Sequence, residues 1–207
     1  MDGTLTQTNQ LIFDSFNHIA AKYLHRRLPE QEIIELFGPP EKECIQTLVG
    51  ESRIDGVMKE YYEFYHDRHD ELARMYPGVS ELLRYLKSRN VILALFTGKG
   101  RRTTDITLEK FRIDGFFDMT VTGDDVDDHK PSGNGIVKIM NRFSLSPSDV
   151  LMVGDAVADI KASRETGVRI ASVLWDSYAK ADVLKHDSDF VFHTVDEFFF
   201  WLRAIYQ

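Results

Sequence analysis

The chain has a single cysteine, Cys44, and is short of positive charge, with 25 Lys and Arg against 33 Asp and Glu among 207 residues. One cysteine excludes an internal disulfide and suits a reducing compartment, so a cytoplasmic location is expected. No apolar run approaches the roughly 18 residues of a membrane-spanning helix. The N-terminus also lacks a basic stretch followed by an apolar one, so neither a membrane anchor nor a secretory leader is expected. A formal net charge of −8 argues against broad nucleic-acid binding, which needs a basic footprint. It leaves room for a small anionic ligand, because the local field of a site can oppose that of the whole molecule. A chain of this length buries roughly 70% of its unfolded surface and needs no disulfide or structural metal to hold a core.

Two textures alternate along the chain, with no internal repeat and no low-complexity tract. From Leu11 to about Met75 the residues are charged and helical in spacing. Ile12, Phe16, Ile19, Ala20 and Tyr23 mark one face of a first helix. Pro29 opens a second, and Gly38-Pro39-Pro40 stops it. Further helices are predicted over about Glu41 to Leu48 and Ile54 to Asp70, which makes a small bundle. From Tyr76 onward, short apolar runs alternate with helices. The runs are Val91 to Phe96, Met119 to Thr122, Val150 to Val153, Ile170 to Leu174 and Phe190 to Phe192. That alternation predicts a doubly wound parallel sheet, whose ligand sits beyond the carboxyl ends of the strands. A last helix opens with the capping box Thr194-Val195-Asp196-Glu197. Its Phe198 to Trp201 run is expected to pack on the sheet or, less simply, to meet a second copy.

The polar residues at those strand ends carry the chemistry. Thr97 ends one run in Thr97-Gly98-Lys99, and Lys130 follows the next in His129-Lys130-Pro131. Asp155 ends another in Gly154-Asp155, with Asp159 four residues on, and Asp2 stands in the opening Asp2-Gly3-Thr4. Taken singly, each has an ordinary role as a cap, a turn or a surface charge. Together they form the set that phosphoryl transfer requires, since its catalysis is mostly positioning and charge neutralisation. A hydroxyl and an ammonium bind phosphoryl oxygens, and carboxylates hold Mg²⁺, a hard cation that prefers oxygen. Gly3, Gly98 and Gly154 allow close backbone approach. His66 and His69, three apart on a charged helix, are read as a solvated face and not as metal ligands.

In this order and at these positions, the set resembles the signature of the haloacid-dehalogenase superfamily of hydrolases, in its phosphoglycolate-phosphatase and pyrophosphatase branch. The resemblance covers essentially the whole chain and includes Gly154-Asp155-Ala156-Val157-Ala158-Asp159. It implies an α/β core over residues 1–10 and 76–207 and a mobile helical cap over 11–75. It implies a Mg²⁺-dependent phosphatase that works through an aspartyl-phosphate on a small phosphorylated metabolite or pyrophosphate. In that scheme Asp2 is the general acid and base, and its carbonyl also touches Mg²⁺. Thr97, Gly98 and Lys130 hold the phosphoryl group, Asp155 and Asp159 hold the metal, and Gly38 belongs to a substrate-sensing cap loop.

The family's attacking Asp lies two residues before the Asp of Asp-Gly-Thr, a place immediately ahead of Met1. The expectation is therefore a chain cut just after its nucleophile, lacking a first strand and impaired as written. The alternative from a different class is a catalytically inactive phosphate-binding or regulatory protein. Dehalogenation itself is disfavoured, because it needs neither the Asp2 proton shuttle nor the Asp155 metal site. A monomer or a homodimer fits equally.

Overall fold

The computed structural model describes residues 1–177 and 180–206. After the Asp-Gly-Thr opening, a two-residue strand Thr6–Gln7 (β1) pairs antiparallel with Arg74–Met75 (β2). Between these strands run four helices: α1 (Asn9–Tyr23), α2 (Glu30–Ile34), α3 (Glu41–Val49) and α4 (Ile54–Leu72). Their apolar faces share one core built on Leu11, Phe16, Ile19, Ile45, Tyr61 and Tyr65. The α1 stripe read from the sequence is the face that turns inward. α2 ends at Ile34, earlier than the Gly38-Pro39-Pro40 stop that was expected.

The rest of the chain winds helices about parallel strands. In order come α5 (Val79–Ser88), β3 (Ala94–Phe96), α6 (Arg101–Phe111), β4 (Met119–Val121), α7 (Asn134–Phe143) and β5 (Leu151–Gly154). They continue with α8 (Val157–Thr166), β6 (Arg169–Val173), α9 (Lys180–Val183), β7 (Phe190–Phe192) and α10 (Val195–Ile205). β3 pairs in parallel with β4, and β5 with β6, which also pairs with β7. The fold is the expected α/β one with a parallel sheet and a helical cap. Its sheet is divided, however: among the described residues no strand joins β3 to β5. Between those two inner edges lies a slot of about 490 Å³, lined by Leu82, Leu86, Leu93, Leu95, Ile136 and Leu151 and bordered by Met1.

Two sequence expectations need correction. The Val91 to Phe96 run is strand only from Ala94, and Ile92 is 44% exposed. Its lead-in is tied instead to Asp118, whose Oδ2 accepts the Leu93 N–H at 2.9 Å. His69 is fully buried and not solvated. Tyr61, Tyr65 and His69 recur every four residues, so they fall on the one stripe of α4 that faces inward, and the His69 ring packs on Phe111 of α6. Its neighbour His66 is half-exposed and pairs with Asp67. The α10 capping box forms as spelled, with Thr194 Oγ1 accepting the Glu197 N–H at 3.1 Å. In that helix Phe198 is buried, whereas Phe200 is 78% exposed.

Candidate active site

The carboxyl ends of β3 and β5 open onto one pocket of about 380 Å³, and cap residues close its other side. All seven residues singled out in the sequence line it: Asp2, Gly38, Thr97, Gly98, Lys130, Asp155 and Asp159. β3 hands its register to Thr97, whose N–H still bonds Val121 O at 3.0 Å and so fixes the residue at the pocket floor. β5 ends at Gly154 and presents Asp155 in the same way. Gly3 has φ +76, and a Cβ there would stand 2.2 Å from Asp155 Oδ2, so only glycine lets the opening loop reach this carboxylate. The next residue completes the contact: Thr4 Oγ1 donates to Asp155 Oδ1 at 2.8 Å.

The carboxylates are held differently, and their proton affinities separate accordingly. Burial, and after it the charge of Asp159, pushes Asp155 up to about 6. Asp159 meets the same burial, but Lys130 outweighs it and holds this carboxyl below the usual range. Lys130 Nζ donates to Asp159 Oδ1 at 2.8 Å, and the Ala156 N–H donates to Oδ2 at 3.1 Å. Asp159 therefore caps the first turn of α8 and also faces the pocket. Lys130, expected to await a phosphoryl group, is ion-paired here and lies 4.9 Å over the Phe96 ring.

Asp2 is gripped from two sides. Thr8 Oγ1 donates to its Oδ1 at 2.6 Å, and Lys99 Nζ to its Oδ2 at 3.1 Å. Burial alone would raise its pKa, but the Lys99 charge and these hydrogen bonds hold it below the usual carboxylate value. Lys99 is itself buried, and burial opposes its charge. Asp2, Tyr65 and Glu41 overcome that and raise its pKa. Nearby, the α-amino group of Met1 is lowered by burial first and by Lys130 second, with Asp2, Asp155 and Asp159 acting in the opposite sense.

Sequence reading missed Lys99, Thr8 and Glu41. Lys99 carried a readable signal, a cation two residues past a strand-terminal hydroxyl. Glu41 carried none, because only the packing of the cap brings it in. It accepts the Gly100 N–H at 2.8 Å and the Thr103 hydroxyl at 2.6 Å, and it stands 3.8 Å from Lys99 Nζ. The cap loop is seated just as closely. Gly38 O would lie 2.9 Å from a Cβ placed on Gly98.

Among the described residues no three His, Cys, Asp or Glu side chains form a metal cage. What is present is an oxygen pair, Asp155 and Asp159, in which burial first and the Asp159 charge second raise Asp155. Two buried carboxylates, one of them paired only with Lys130, fit a hard divalent cation such as Mg²⁺, which keeps several waters and needs only one or two protein carboxylates. The pocket as a whole has room for a tetrahedral oxyanion beside a cation, with the Asp2 carboxylate at its edge.

A parallel α/β core with a helical cap over strand-end carboxylates, a hydroxyl and a lysine defines a hydrolase class, and the comparisons name it. The model of the haloacid dehalogenase-like hydrolase family matches residues 1–173. The chain belongs to that family. It is 33% identical over 191 residues to a Bacillus cereus protein named pyrophosphatase PpaX, covering 92% of this chain and 88% of that one. In fold it is similar to a predicted phosphoglycolate phosphatase from Haemophilus somnus, with TM-score 0.81 and 22% identity over 100% of this chain and 95% of that one. CbbY from Rhodobacter sphaeroides in complex with phosphate gives TM-score 0.78 and 20% identity, covering 94% and 91%. These matches span nearly the whole chain and lend no support to the expected truncation. No helix among the described residues is long and apolar enough to cross a membrane.

Proposed function

We propose that this site is that of a Mg²⁺-dependent phosphohydrolase acting on a small phosphate ester or pyrophosphate. One observation carries the reading: Asp2, Thr97, Lys130, Asp155 and Asp159 come from separate segments of the chain and converge on a single pocket. Asp155 and Asp159 would hold Mg²⁺, which when bound neutralises charge on the phosphoryl oxygens. The Thr97 hydroxyl and the Lys130 ammonium orient the transferring group, and Lys130 moves to it from Asp159. Asp2 carries the proton between the two half-steps. In its protonated form it gives one to the leaving-group oxygen, and as the carboxylate that Lys99 and Thr8 favour it takes one back from the water that hydrolyses the phosphorylated intermediate. Closure of the cap loop excludes bulk water while this happens. The named relative PpaX supports pyrophosphate as a candidate substrate.

Attack on phosphorus calls for a further carboxylate. Asp2 is committed to Thr8 and Lys99, Asp155 to Thr4 and Asp159 to Lys130. The α-amino nitrogen of Met1 lies among these same charges. That commitment of the carboxylates also favours a second reading, in which the chain as written binds a phosphorylated ligand without turning it over.

Phosphate release from a panel of small esters and pyrophosphate, with and without Mg²⁺, separates the two. The comparison is between the wild-type chain and its Lys130→Ala and Asp155→Asn variants. Mg²⁺-dependent turnover is expected in the wild type. It should fall about a hundredfold or more with Lys130→Ala and be lost with Asp155→Asn. Ligand binding without turnover by the folded wild type would favour the binding reading, and turnover unchanged in both variants would overturn the site assignment.

A further inference from the structure

The two ends of the pocket differ in chemistry. The floor carries the charged groups already described. The wall facing them is supplied by the cap through Ile12, Phe16, Ile34, Phe37 and Cys44, and the charged side chain it adds is an acid, Glu41. Glu41 is already satisfied by Gly100 and Thr103. The Cys44 thiol is pushed up to about 12, by burial first and then by Glu41, so it is a neutral wall atom. Beside the wall, Asn9 adds a neutral amide, and Asp176 adds a second acid, bonded to Tyr76. Among the described residues, the basic side chains lining the pocket are Lys99 and Lys130 alone. Lys99 is consumed by Asp2 and lies 4.6 Å over the Tyr65 ring, and Lys130 serves the transferring group.

We infer that the leaving-group end of this pocket takes an uncharged, largely apolar group, such as a short alkyl or aryl alcohol, and disfavours a second phosphate or a carboxylate. The inference rests on the phosphohydrolase reading and narrows its substrate class. An anionic leaving group at this wall would lose its hydration against apolar side chains without meeting a cation, and would face Glu41 and Asp176. An apolar group of matching size gains by leaving water and repels nothing. A pocket of about 380 Å³ lies near the small end of the roughly 300–1,000 Å³ range of ligand sites, which suits a group of a few carbons over a nucleotide. Phe37, 43% exposed and stacked on Phe13 at 6.4 Å, forms the rim such a group would pass.

The test is titration calorimetry on the full chain with non-hydrolysable ligands, so that turnover is not needed. Butylphosphonate, methylenediphosphonate, phosphonoacetate and inorganic phosphate are compared, with Mg²⁺ in excess of every ligand. Butylphosphonate is expected to bind at least tenfold more tightly than the diphosphonate or the phosphonoacetate. Phe37→Lys, at the exposed rim, and Ile34→Lys, deeper in the wall, should each close or reverse that gap. Circular dichroism checks their folding, and the rim variant keeps the test alive if the deeper one does not fold. Equal or tighter binding of the diphosphonate or phosphonoacetate would overturn the inference and leave the phosphohydrolase reading standing. So would two folded Lys variants with unchanged preference. Failure of all four ligands to bind would overturn the reading and the inference together.

Discussion

Lys99 joins two carboxylates from distant segments, Asp2 and Glu41. Its side chain is 3% exposed, with Asp2 at 3.1 Å and Glu41 at 3.8 Å. Removing one member of such a buried set leaves the others uncompensated, which costs about 3–5 kcal/mol. Lys99→Met is therefore expected to lower stability by about 3 kcal/mol in urea titration, and adding Asp2→Asn should restore part of it. A neutral single substitution would show that water already screens the set. His69 makes a second residue-scale case. Both ring nitrogens are buried without a hydrogen-bond partner, and burial, against the opposing Asp70 charge, pulls its pKa from 6.5 to about 4. The unfolded chain then binds this proton more readily than the folded one. Its contribution is full above pH 6.5 and is lost as pH falls toward about 4, by up to about 3 kcal/mol. Asp155, raised to about 6, works in the opposite sense over part of that window. The check is thus the difference between wild type and His69→Leu, which should show the loss; a flat difference curve would contradict it.

Elements place these residues, and one close contact between elements is that of the cap loop with the loop after β3. A methyl on Gly98 would meet the Gly38 carbonyl at 2.9 Å, and both are backbone. Gly98→Ala should therefore lift residues 36–41 from the core, at a cost of about 1–3 kcal/mol. Hydrogen exchange should rise in that loop and in the first turn of α3, while β4 and β6 stay protected. Uniform change across the sheet would mean that the substitution acts elsewhere. The cap is tethered by the short β1–β2 ribbon.

At the scale of the whole molecule the divided sheet dominates. β3 and β5 are parallel strands whose facing edges have no partner among the described residues, and the slot between them is walled by leucines and Ile136.

Much of this was legible in residue order. The helical spacing of α1, the capping box of α10 and the alternation of apolar runs with helices are local patterns, enforced by neighbours three or four positions away or across a strand. The strand-end polar residues were legible for a related reason. In a parallel α/β sheet the carboxyl ends share one edge, so Thr97 after β3 and Asp155 after β5 had to approach one another, and the long loop after β4 carries Lys130 to the same edge. What the tertiary structure alone decided were matters of long-range packing. It chose which face of α4 turned inward and so buried His69, which local charge had placed in solvent. It brought Glu41 to Lys99 across 58 positions of sequence, and it paired Lys130 with Asp159. It also left the cap wall of the pocket apolar, since that wall is assembled from α1, the end of α2 and the loop after it, and α3. No local pattern encodes those meetings, because their energies come from burial and from charges that become neighbours only once the chain has folded.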